Sequence, residues 1–229
     1  MYEDELKSLL IQNGADKVGF GELFGEIAEE YPRAVSIIVA VPPETVRGIH
    51  DAPTREYFDA YHGLNARLNA LGEMCEKFLT ERGFRAYAQT TERVTEFGRY
   101  ETRLPHKTAA TRAGLGWIGR SALLVTKEFG GAVRLTSVLT DAPLEAAEPI
   151  TEALCGACRA CADACPGKAI TGKLWTAGIE RAELLDALKC RAAARKRAWD
   201  AIHEEVTLCG KCFEVCPFTK AYLARTLKK

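Results

Sequence analysis

The chain has 229 residues, of which 47% are apolar, so it can bury a sizeable core and does not have the composition of a disordered protein. Lysine plus arginine number 31, as do aspartate plus glutamate, so net charge provides no general attraction to nucleic acid or to anionic membranes. An acidic start and the lack of any apolar run near the ~20 residues that span a bilayer predict a cytoplasmic protein without membrane contact.

The predicted elements, in chain order, mix long helices with strands that need not be parallel. Leucines at helical spacing predict a first helix, β-branched residues predict a buried strand, and an amphipathic pattern predicts a long helix that Gly63 could interrupt. Two later strands are expected to pair around Gly130-Gly131. The helices cover 3–12 and 54–82, and the strands cover 34–41, 84–89, 122–126 and 132–139. We therefore predict an α+β fold.

The composition shifts near residue 150, where a cysteine-rich part begins. We place a domain boundary there, giving domains 1–148 and 149–229. The chain has nine cysteines and no recognisable export signal, which favours metal ligation over a disulfide framework.

Eight cysteines form two motifs with one cysteine between them. The run C-x2-C-x2-C-x3-C-P is the bacterial ferredoxin signature, in which three thiolates on a tight loop bind one cluster and the fourth binds the other. The second motif is C-x2-C-x3-C-P, and Cys190 replaces its missing cysteine. The predicted ligands are Cys155, Cys158, Cys161 and Cys216 for cluster one, and Cys165, Cys190, Cys209 and Cys212 for cluster two. We therefore predict two [4Fe–4S] clusters.

The alternative is a pair of structural zinc sites, because four-cysteine zinc sites also use C-x2-C spacing. The four-cysteine run that ends in Pro166 is a poor zinc pattern, so we prefer iron. Cys75 remains outside both sets, and its place in the long helix predicts a small buried apolar residue.

The run Gly114 to Gly119 matches G-x-G-x-x-G, the pattern of dinucleotide-binding loops. The context does not fit, because the preceding residues do not form a buried strand and the following residues look like a strand rather than a helix. Two readings stay open. The glycines permit close approach of the backbone to a flat or bulky group, or they form a plain turn.

The stretch from Leu104 to Gly119 resembles the hallmark loop of the epoxyqueuosine reductases. The Gly130-Gly131 turn, the strand that ends at Thr140-Asp141 and the order of the eight cysteines fit the same family. The resemblance implies an N-terminal α/β-sandwich-like domain that binds cobalamin, followed by a bacterial-ferredoxin-like domain with two clusters. It also implies that the clusters pass electrons to a base-off corrinoid, which reduces the substrate.

By this resemblance, the corrin lies against the glycine loop, with contacts from Gly114, Leu115, Gly116, Trp117 and Gly119. A low-potential donor such as a ferredoxin or flavodoxin would supply the electrons. The chain contains no D-x-H-x-x-G sequence, the usual motif by which a protein histidine replaces the lower base of cobalamin.

Two features depart from the family pattern. The reductases carry an aspartate, taken to be the proton donor, where an ungapped count places Tyr100, which is followed by Glu101. They also continue into C-terminal helical repeats that help to hold tRNA, whereas this chain ends at Lys229. We therefore expect a small or nucleoside-like substrate, and we do not expect efficient reduction of epoxyqueuosine in tRNA.

The candidate catalytic residues are Tyr100, Glu101 and His106. A phenol held near a reactive centre can donate a proton, and His106 could face the cofactor or the substrate. Each residue also has an alternative interpretation without a catalytic role. Tyr100 would be a partly buried tyrosine, Glu101 a solvated carboxylate and His106 a surface histidine.

Three classes of function follow from these features. The first is a corrinoid-dependent reductase, the second an electron-transfer protein that docks a partner, and the third a corrinoid-reducing or carrier protein that serves another enzyme. We prefer the first.

Overall fold

The computed structural model describes residues 2–226. Its helices are α1 Tyr2–Gln12, α2 Glu26–Glu30, α3 Pro43–Gly48, α4 Arg55–Thr80, α5 His106–Arg112, α6 Ala160–Asp163, α7 Arg181–Leu184, α8 Ala187–Ile202, α9 Lys211–Glu214 and α10 Pro217–Thr226. Its strands are β1 Lys17–Glu22, β2 Arg33–Ala40, β3 Ala86–Ala88, β4 Trp117–Ile118, β5 Leu124–Val125 and β6 Val133–Thr140. This mixture of helices and strands agrees with the predicted α+β class.

The chain forms two compact units, each built from separate stretches of sequence. The sheet unit is the chain through Ala40 with Gly63–Gly116 and Arg134–Thr151. The cysteine unit is Val41–His62 with Trp117–Val133 and the residues from Glu152 onward. The boundary at 148/149 stays a prediction.

The sheet unit is organised around four strands in the order β1-β2-β6-β3. β1 and β2 are antiparallel, with Val18 opposite Ile37, and β3 and β6 are antiparallel, with Tyr87 opposite Leu139. Residues 34–39 of β2 are all buried, as a run of β-branched and small residues in a central strand predicts.

Two helices cover β1, and glycines bring one of them unusually close. Leu6 and Leu10 of α1 are fully buried, and both α1 and α5 pack on β1. A Cβ at Gly19 would lie 2.8 Å from the carbonyl oxygen of Ala113, and one at Gly21 would lie 2.8 Å from the Ala113 nitrogen. Only glycine therefore lets the end of α5 lie directly on this strand.

α4 is one continuous helix of 26 residues, so Gly63 does not interrupt it as the sequence allowed. Five residues of its predicted apolar stripe are buried, namely Leu64, Leu68, Leu71, Cys75 and Leu79. Tertiary burial of that stripe outweighs the helix-weakening effect of one exposed glycine.

The cysteine unit contains short helices, one long helix and a small hairpin. The side chain of Asp186 caps α8 by accepting from the Lys189 N–H at 3.1 Å, and His203 ends the helix in a left-handed conformation. Tyr222 of α10 donates to the carbonyl of Val41 at 3.1 Å. The described residues include no helix long and apolar enough to cross a membrane.

The predicted pairing of 122–126 with 132–139 is wrong. β5 pairs instead with β4, with Trp117 opposite Val125, and β6 joins the four-stranded sheet. Only one bridge, between Thr126 and Gly130, closes the expected turn. β5 has two residues, too few for an apolar pattern to specify its partner. β1 and α5 were not predicted, because the glycines of β1 and the polar residues of α5 weaken the local pattern.

Candidate functional site

The eight motif cysteines all lie in the cysteine unit, as free and partly exposed thiols. Cys161 and Cys212 lie within the short helices α6 and α9, Cys190 lies in the first turn of α8, and the other five lie in the turns that flank α6 and α9. The first turn of the motif is closed by the Cys158 N–H, which donates to the carbonyl of Cys155 at 3.2 Å. The described residues contain no three His, Cys, Asp or Glu side chains that converge as ligands of a single metal ion.

Five of these thiols line one cavity, whose volume is about 460 Å³ including its open side. The other walls are mainly glycine, proline, phenylalanine and valine side chains and backbone. The lining residues are Gly119, Arg120, Ser121, Val125, Gly131, Cys155, Cys158, Cys161, Cys212, Phe213, Cys216, Pro217 and Phe218. A largely apolar cavity with several thiols suits a cofactor that is held by sulfur and shielded from water.

Electrostatic coupling identifies the first set of neighbouring thiols. Burial, followed by the charges of Cys155, Cys216 and Cys158, raises the pKa of Cys161 to about 11. Burial also raises the pKa of Cys216, with a contribution from Cys155, although the backbone N–H groups of Thr219 and Phe218 oppose that rise. These four cysteines are the ones that the sequence assigns to cluster one.

The second set is centred on Cys190 and Cys212. Burial raises the pKa of Cys190, with Cys165 and Cys209 adding to the rise. Burial raises the pKa of Cys212 as well, with contributions from Cys209 and Cys190 and smaller ones from Cys161 and Cys165. The structure thus brings together the four cysteines assigned to cluster two, and Cys212 also neighbours the first set. Which thiol binds which cluster stays a prediction.

The thiols fit iron–sulfur ligation because they lie close together in a partly buried group, where several thiolates need compensating positive charge. Thiolates that share a buried group repel each other, which is why neighbouring cysteines add to the raised pKa of Cys161, Cys190 and Cys212. Iron supplies the compensating charge and deprotonates the ligands. A backbone N–H from Ala169 already points at Cys165, 3.4 Å from its sulfur, and N–H···S contacts of this kind tune bound clusters.

Cys75 is separate from these sets. It lies in α4, is 0% exposed, and burial raises its pKa far above that of a free thiol. A buried neutral thiol of this kind behaves as a small apolar side chain, as the sequence predicts.

The glycine run follows a helix and leads into a strand, since α5 ends at Arg112 and β4 begins at Trp117. This order is the reverse of a dinucleotide-binding loop, where a strand precedes the glycines and a helix follows them. Gly114 is exposed and has a φ of +66°, a left-handed conformation that favours glycine. Residues 115–119 are all buried, so Gly114 is the exposed position of the run.

Tyr100 and Glu101 lie in an exposed hairpin. The backbone groups of Phe97 and Glu101 form two hydrogen bonds of 2.9 Å across it. Tyr100 has a φ of +62°, which is uncommon for a residue with a large side chain. Unfavourable dihedrals are concentrated at ligand clamps and active sites, so this geometry motivates a functional test of Tyr100.

His106 begins α5 and belongs to a polar network that the sequence did not reveal. Its Nδ1 lies 2.8 Å from the Ser137 hydroxyl oxygen, which accepts a hydrogen bond of 2.6 Å from Gln89 Nε2. Burial and the positive charge of Arg134 lower the pKa of His106 to about 4. The ring is therefore neutral at pH 7. Because the hydroxyl accepts from Gln89, its own hydrogen can point to Nδ1, which leaves Nε2 as the protonated ring nitrogen.

A second network stabilises the turn between Cys212 and Cys216. The carboxylate of Glu214 accepts from Lys211 Nζ at 2.9 Å and lies 3.1 Å from His50 Nδ1. Burial opposes the ionisation of Glu214, but the hydrogen bonds from Lys211 and His50 prevail and lower its pKa. Sequence spacing gives no signal for a contact between residues 164 positions apart.

Comparison with known proteins identifies the cysteine-rich part of the chain. Residues 154–219 match the family model described as a 4Fe-4S double cluster binding domain. The epoxyqueuosine reductase of Lactococcus garvieae is 29% identical over 169 residues, which cover 71% of this chain and 42% of that protein. The enzyme of Gloeobacter violaceus is 38% identical over 121 residues, covering 49% and 35%.

The chain is similar in sequence to epoxyqueuosine reductases. It spans less than half the length of these two curated relatives. The family model confirms the prediction of two [4Fe–4S] clusters in the cysteine-rich part of the chain.

Solved structures show a similar fold in proteins whose sequences are only 20% to 21% identical to this chain. An epoxyqueuosine reductase in complex with an epoxyqueuosine-modified tRNA-Tyr stem loop superposes with a TM-score of 0.63 at 20% identity, covering 96% of this chain and 66% of that one. The catabolic reductive dehalogenase NpRdhA, in complex with 3-bromo-4-hydroxybenzoic acid, has a TM-score of 0.70 at 21% identity, covering 93% and 31%. Another solved structure with this fold, with a TM-score of 0.65, is of a reductive dehalogenase described with a mechanism for B12-dependent dehalogenation.

Proposed function

We propose that this chain is an iron–sulfur, cobalamin-dependent reductase that passes electrons from two [4Fe–4S] clusters to a base-off corrinoid and on to a substrate. The observation that carries the proposal is the pairing, in one chain, of a double-cluster domain with the fold of a B12-dependent reductive dehalogenase. The bound clusters would supply low-potential electrons one at a time, and the corrinoid would supply the reducing centre.

The cluster ligands in this proposal are the two sets of neighbouring thiols. Cluster one takes Cys155, Cys158, Cys161 and Cys216, and cluster two takes Cys165, Cys190, Cys209 and Cys212. The effect of Cys155 on the pKa of Cys161, and that of Cys209 on the pKa of Cys190, support this assignment. The closeness of Cys212 to Cys161 supports electron exchange between the two clusters.

We assign the corrin contacts to Gly114, Leu115, Gly116, Trp117 and Gly119, through their backbone. Residues 115–119 are buried, so a ligand would first meet this run at Gly114. An exposed glycine at 114 allows a flat ring to approach closely. Base-off binding follows from the lack of a D-x-H-x-x-G motif in the sequence.

Tyr100, Glu101 and His106 are the proposed catalytic residues. A phenol is normally protonated at neutral pH, so Tyr100 can donate the proton that completes a reduction. Glu101 is the neighbouring alternative. His106 is neutral at pH 7, and its Nε2–H can donate a hydrogen bond without adding charge.

The proposed partners are a low-potential electron donor, such as a ferredoxin or flavodoxin, and a small or nucleoside-like substrate. Epoxyqueuosine in tRNA is the substrate to test first, because a relative is solved with an epoxyqueuosine-modified stem loop. We expect poor turnover of it, since Tyr100 stands where the family pattern has an aspartate.

The test is cobalamin titration of the anaerobically purified protein, followed by turnover with dithionite as the donor. We expect base-off cobalamin in the absorption spectrum, with no nitrogen hyperfine splitting from a lower ligand in the paramagnetic resonance spectrum of its Co(II) form. Failure to bind any corrinoid would contradict the proposal and favour an electron-transfer protein. Corrinoid binding with reduction only in the presence of a second protein would favour a carrier. Efficient conversion of epoxyqueuosine in tRNA would overturn the expectation about substrate.

A further inference from the structure

Arg120 is a cation held at the wall of the thiol-lined cavity. It follows Gly119, where an added Cβ would lie 3.6 Å from the Cys155 sulfur, and it lines the same cavity as Cys155 and Cys158. Its guanidinium donates to two backbone carbonyls, from Nη2 to Gly156 at 2.7 Å and from Nη1 to Gly172. Gly156 lies inside the turn between the first two motif cysteines. The two hydrogen bonds therefore hold the charged guanidinium group of Arg120 next to that turn.

The charge of Arg120 is not cancelled by a carboxylate. Other cations of the cysteine unit are paired: Arg159 lies 3.8 Å from Asp163, and Lys173 lies 2.9 Å from Glu183. Arg120 forms no ion pair within residues 2–226, and both of its hydrogen-bond acceptors are neutral peptide oxygens. A guanidinium remains charged at any physiological pH, so the cavity wall carries a permanent positive charge.

A fixed positive charge beside a cluster favours its reduced state. Four thiolates give the cluster a net negative charge, and each one-electron reduction adds another negative charge. A cation a few ångströms away stabilises the more negative state, and in a site partly shielded from water the interaction is only weakly screened. The net charge and surroundings of a cluster are among the factors that set its potential.

We propose that Arg120 is a tuning residue that raises the reduction potential of the cluster bound by Cys155, Cys158, Cys161 and Cys216, relative to the other cluster. The inference rests on the cluster assignment in the proposed function. It also explains why a long cationic side chain is clamped by two carbonyls: a mobile cation would turn outward to water and lose its effect on the cluster. The two clusters would then differ in potential, which gives electron flow between them a direction.

The experiment is an anaerobic redox titration of the full chain, monitored by electron paramagnetic resonance. It is done for wild type, Arg120→Gln and Arg120→Lys. Each cluster takes up one electron from dithionite through mediator dyes. In Arg120→Gln we expect the ratio of reduced to oxidised cluster one, at a fixed potential, to fall about tenfold, which is 59 mV for one electron. Arg120→Lys keeps the charge and should change the ratio by less than about threefold.

Arg225→Gln is the matched control, because Arg225 is an exposed arginine of the same unit that also donates to a backbone carbonyl, that of Glu128. Both potentials should be unchanged in it. Iron analysis tests the cluster assignment separately from the role of Arg120. Fewer than about eight irons in the wild-type protein would contradict the cluster assignment, whereas the reduction potentials of the variants test the role of Arg120.

Wild-type potentials in Arg120→Gln with full iron content would overturn the proposal, as would an equal shift in both clusters. If Arg120→Gln retains only half its iron, Arg120→Lys decides. Its potential must then stay close to that of wild type. A tenfold loss in the lysine variant, or loss of its iron, would show that the guanidinium fork rather than the charge is what matters, and would refute the tuning role.

Discussion

The sheet unit and the cysteine unit obtain their order from different interactions. The sheet unit contains β2, a strand buried along most of its length, and the fully buried leucines of α1. In the cysteine unit, α6, α7 and α9 have four residues each, a length at which helices are not stable on their own. Much of the order around the cysteines must therefore come from what the thiols bind, as in other small metal-binding domains.

The largest expected effect is that of removing the clusters. We predict that iron chelation under oxidising conditions lowers hydrogen-exchange protection in residues 155–165 and 209–216, because bound clusters would crosslink these turns at several thiols, whereas the contacts of Arg120 and Glu214 hold them at single points. Protection of β2 should be unchanged, since it depends on apolar packing. Exchange followed by mass spectrometry measures both regions in one sample. Equal loss of protection in β2 would contradict the contrast between the units.

Replacing single cysteines sharpens the same contrast. Cys190→Ala should lose about half of the roughly eight irons of the chain, because it removes one ligand of one cluster. Cys75→Ala, in the sheet unit, should keep all of the iron and lower the free energy of unfolding by about 1 kcal/mol, since it removes one buried sulfur. Iron and labile sulfide assays with urea unfolding give both numbers. Equal iron content in the two variants would show that Cys190 is not a ligand.

Loss of the proposed proton donor in the sheet unit should lower turnover without affecting the iron–sulfur clusters. Tyr100→Phe keeps the ring but removes the hydroxyl proton, so turnover should fall about 10²–10⁴-fold, the usual contribution of a positioned acid. Cobalamin binding and iron content should not change.

Glu101→Gln is the control for that substitution, because the ungapped count could be displaced by one residue. Full activity in Tyr100→Phe together with a large loss in Glu101→Gln would transfer the role to the glutamate. Full activity in both would remove the hairpin from the mechanism.

The lowered pKa of His106, in the sheet unit, predicts that the free energy of unfolding depends on pH. Its pKa is about 4 in the folded chain and about 6.5 when unfolded, so the unfolded state binds the proton first as the pH falls. Stability should therefore fall between pH 6.5 and pH 4, by about 2 kcal/mol from pH 7 to pH 5. His106→Gln should remove this part of the dependence. Anaerobic urea unfolding of both proteins measures the difference, and parallel curves would contradict the lowered pKa.

The smallest expected effect concerns a single buried hydrogen bond of the cysteine unit. Tyr222→Phe removes the hydroxyl that donates to the Val41 carbonyl and should cost about 1 kcal/mol in the free energy of unfolding. The iron content should remain at the wild-type level. Loss of iron in this variant would mean that α10 holds the clusters more directly than its contacts indicate.

Features that depend on neighbours in the chain were predictable. The cysteine spacing, the burial of β2, and the apolar stripe of α4 with Cys75 in it are local patterns that the sequence displays directly. The two-residue strands β4 and β5 were not predictable, because their pairing depends on backbone hydrogen bonds rather than on an apolar period.

The sequence by itself determined that this chain offers eight thiols in two ferredoxin-type motifs, because ligand spacing on a tight turn is a short-range property. Only the tertiary structure decided that Ser137 and Gln89 hold His106, and that Arg120 reaches the carbonyls of Gly156 and Gly172. These partners are 31 to 52 residues apart along the chain. Such contacts form only after the chain has folded, and no periodicity in the sequence encodes them.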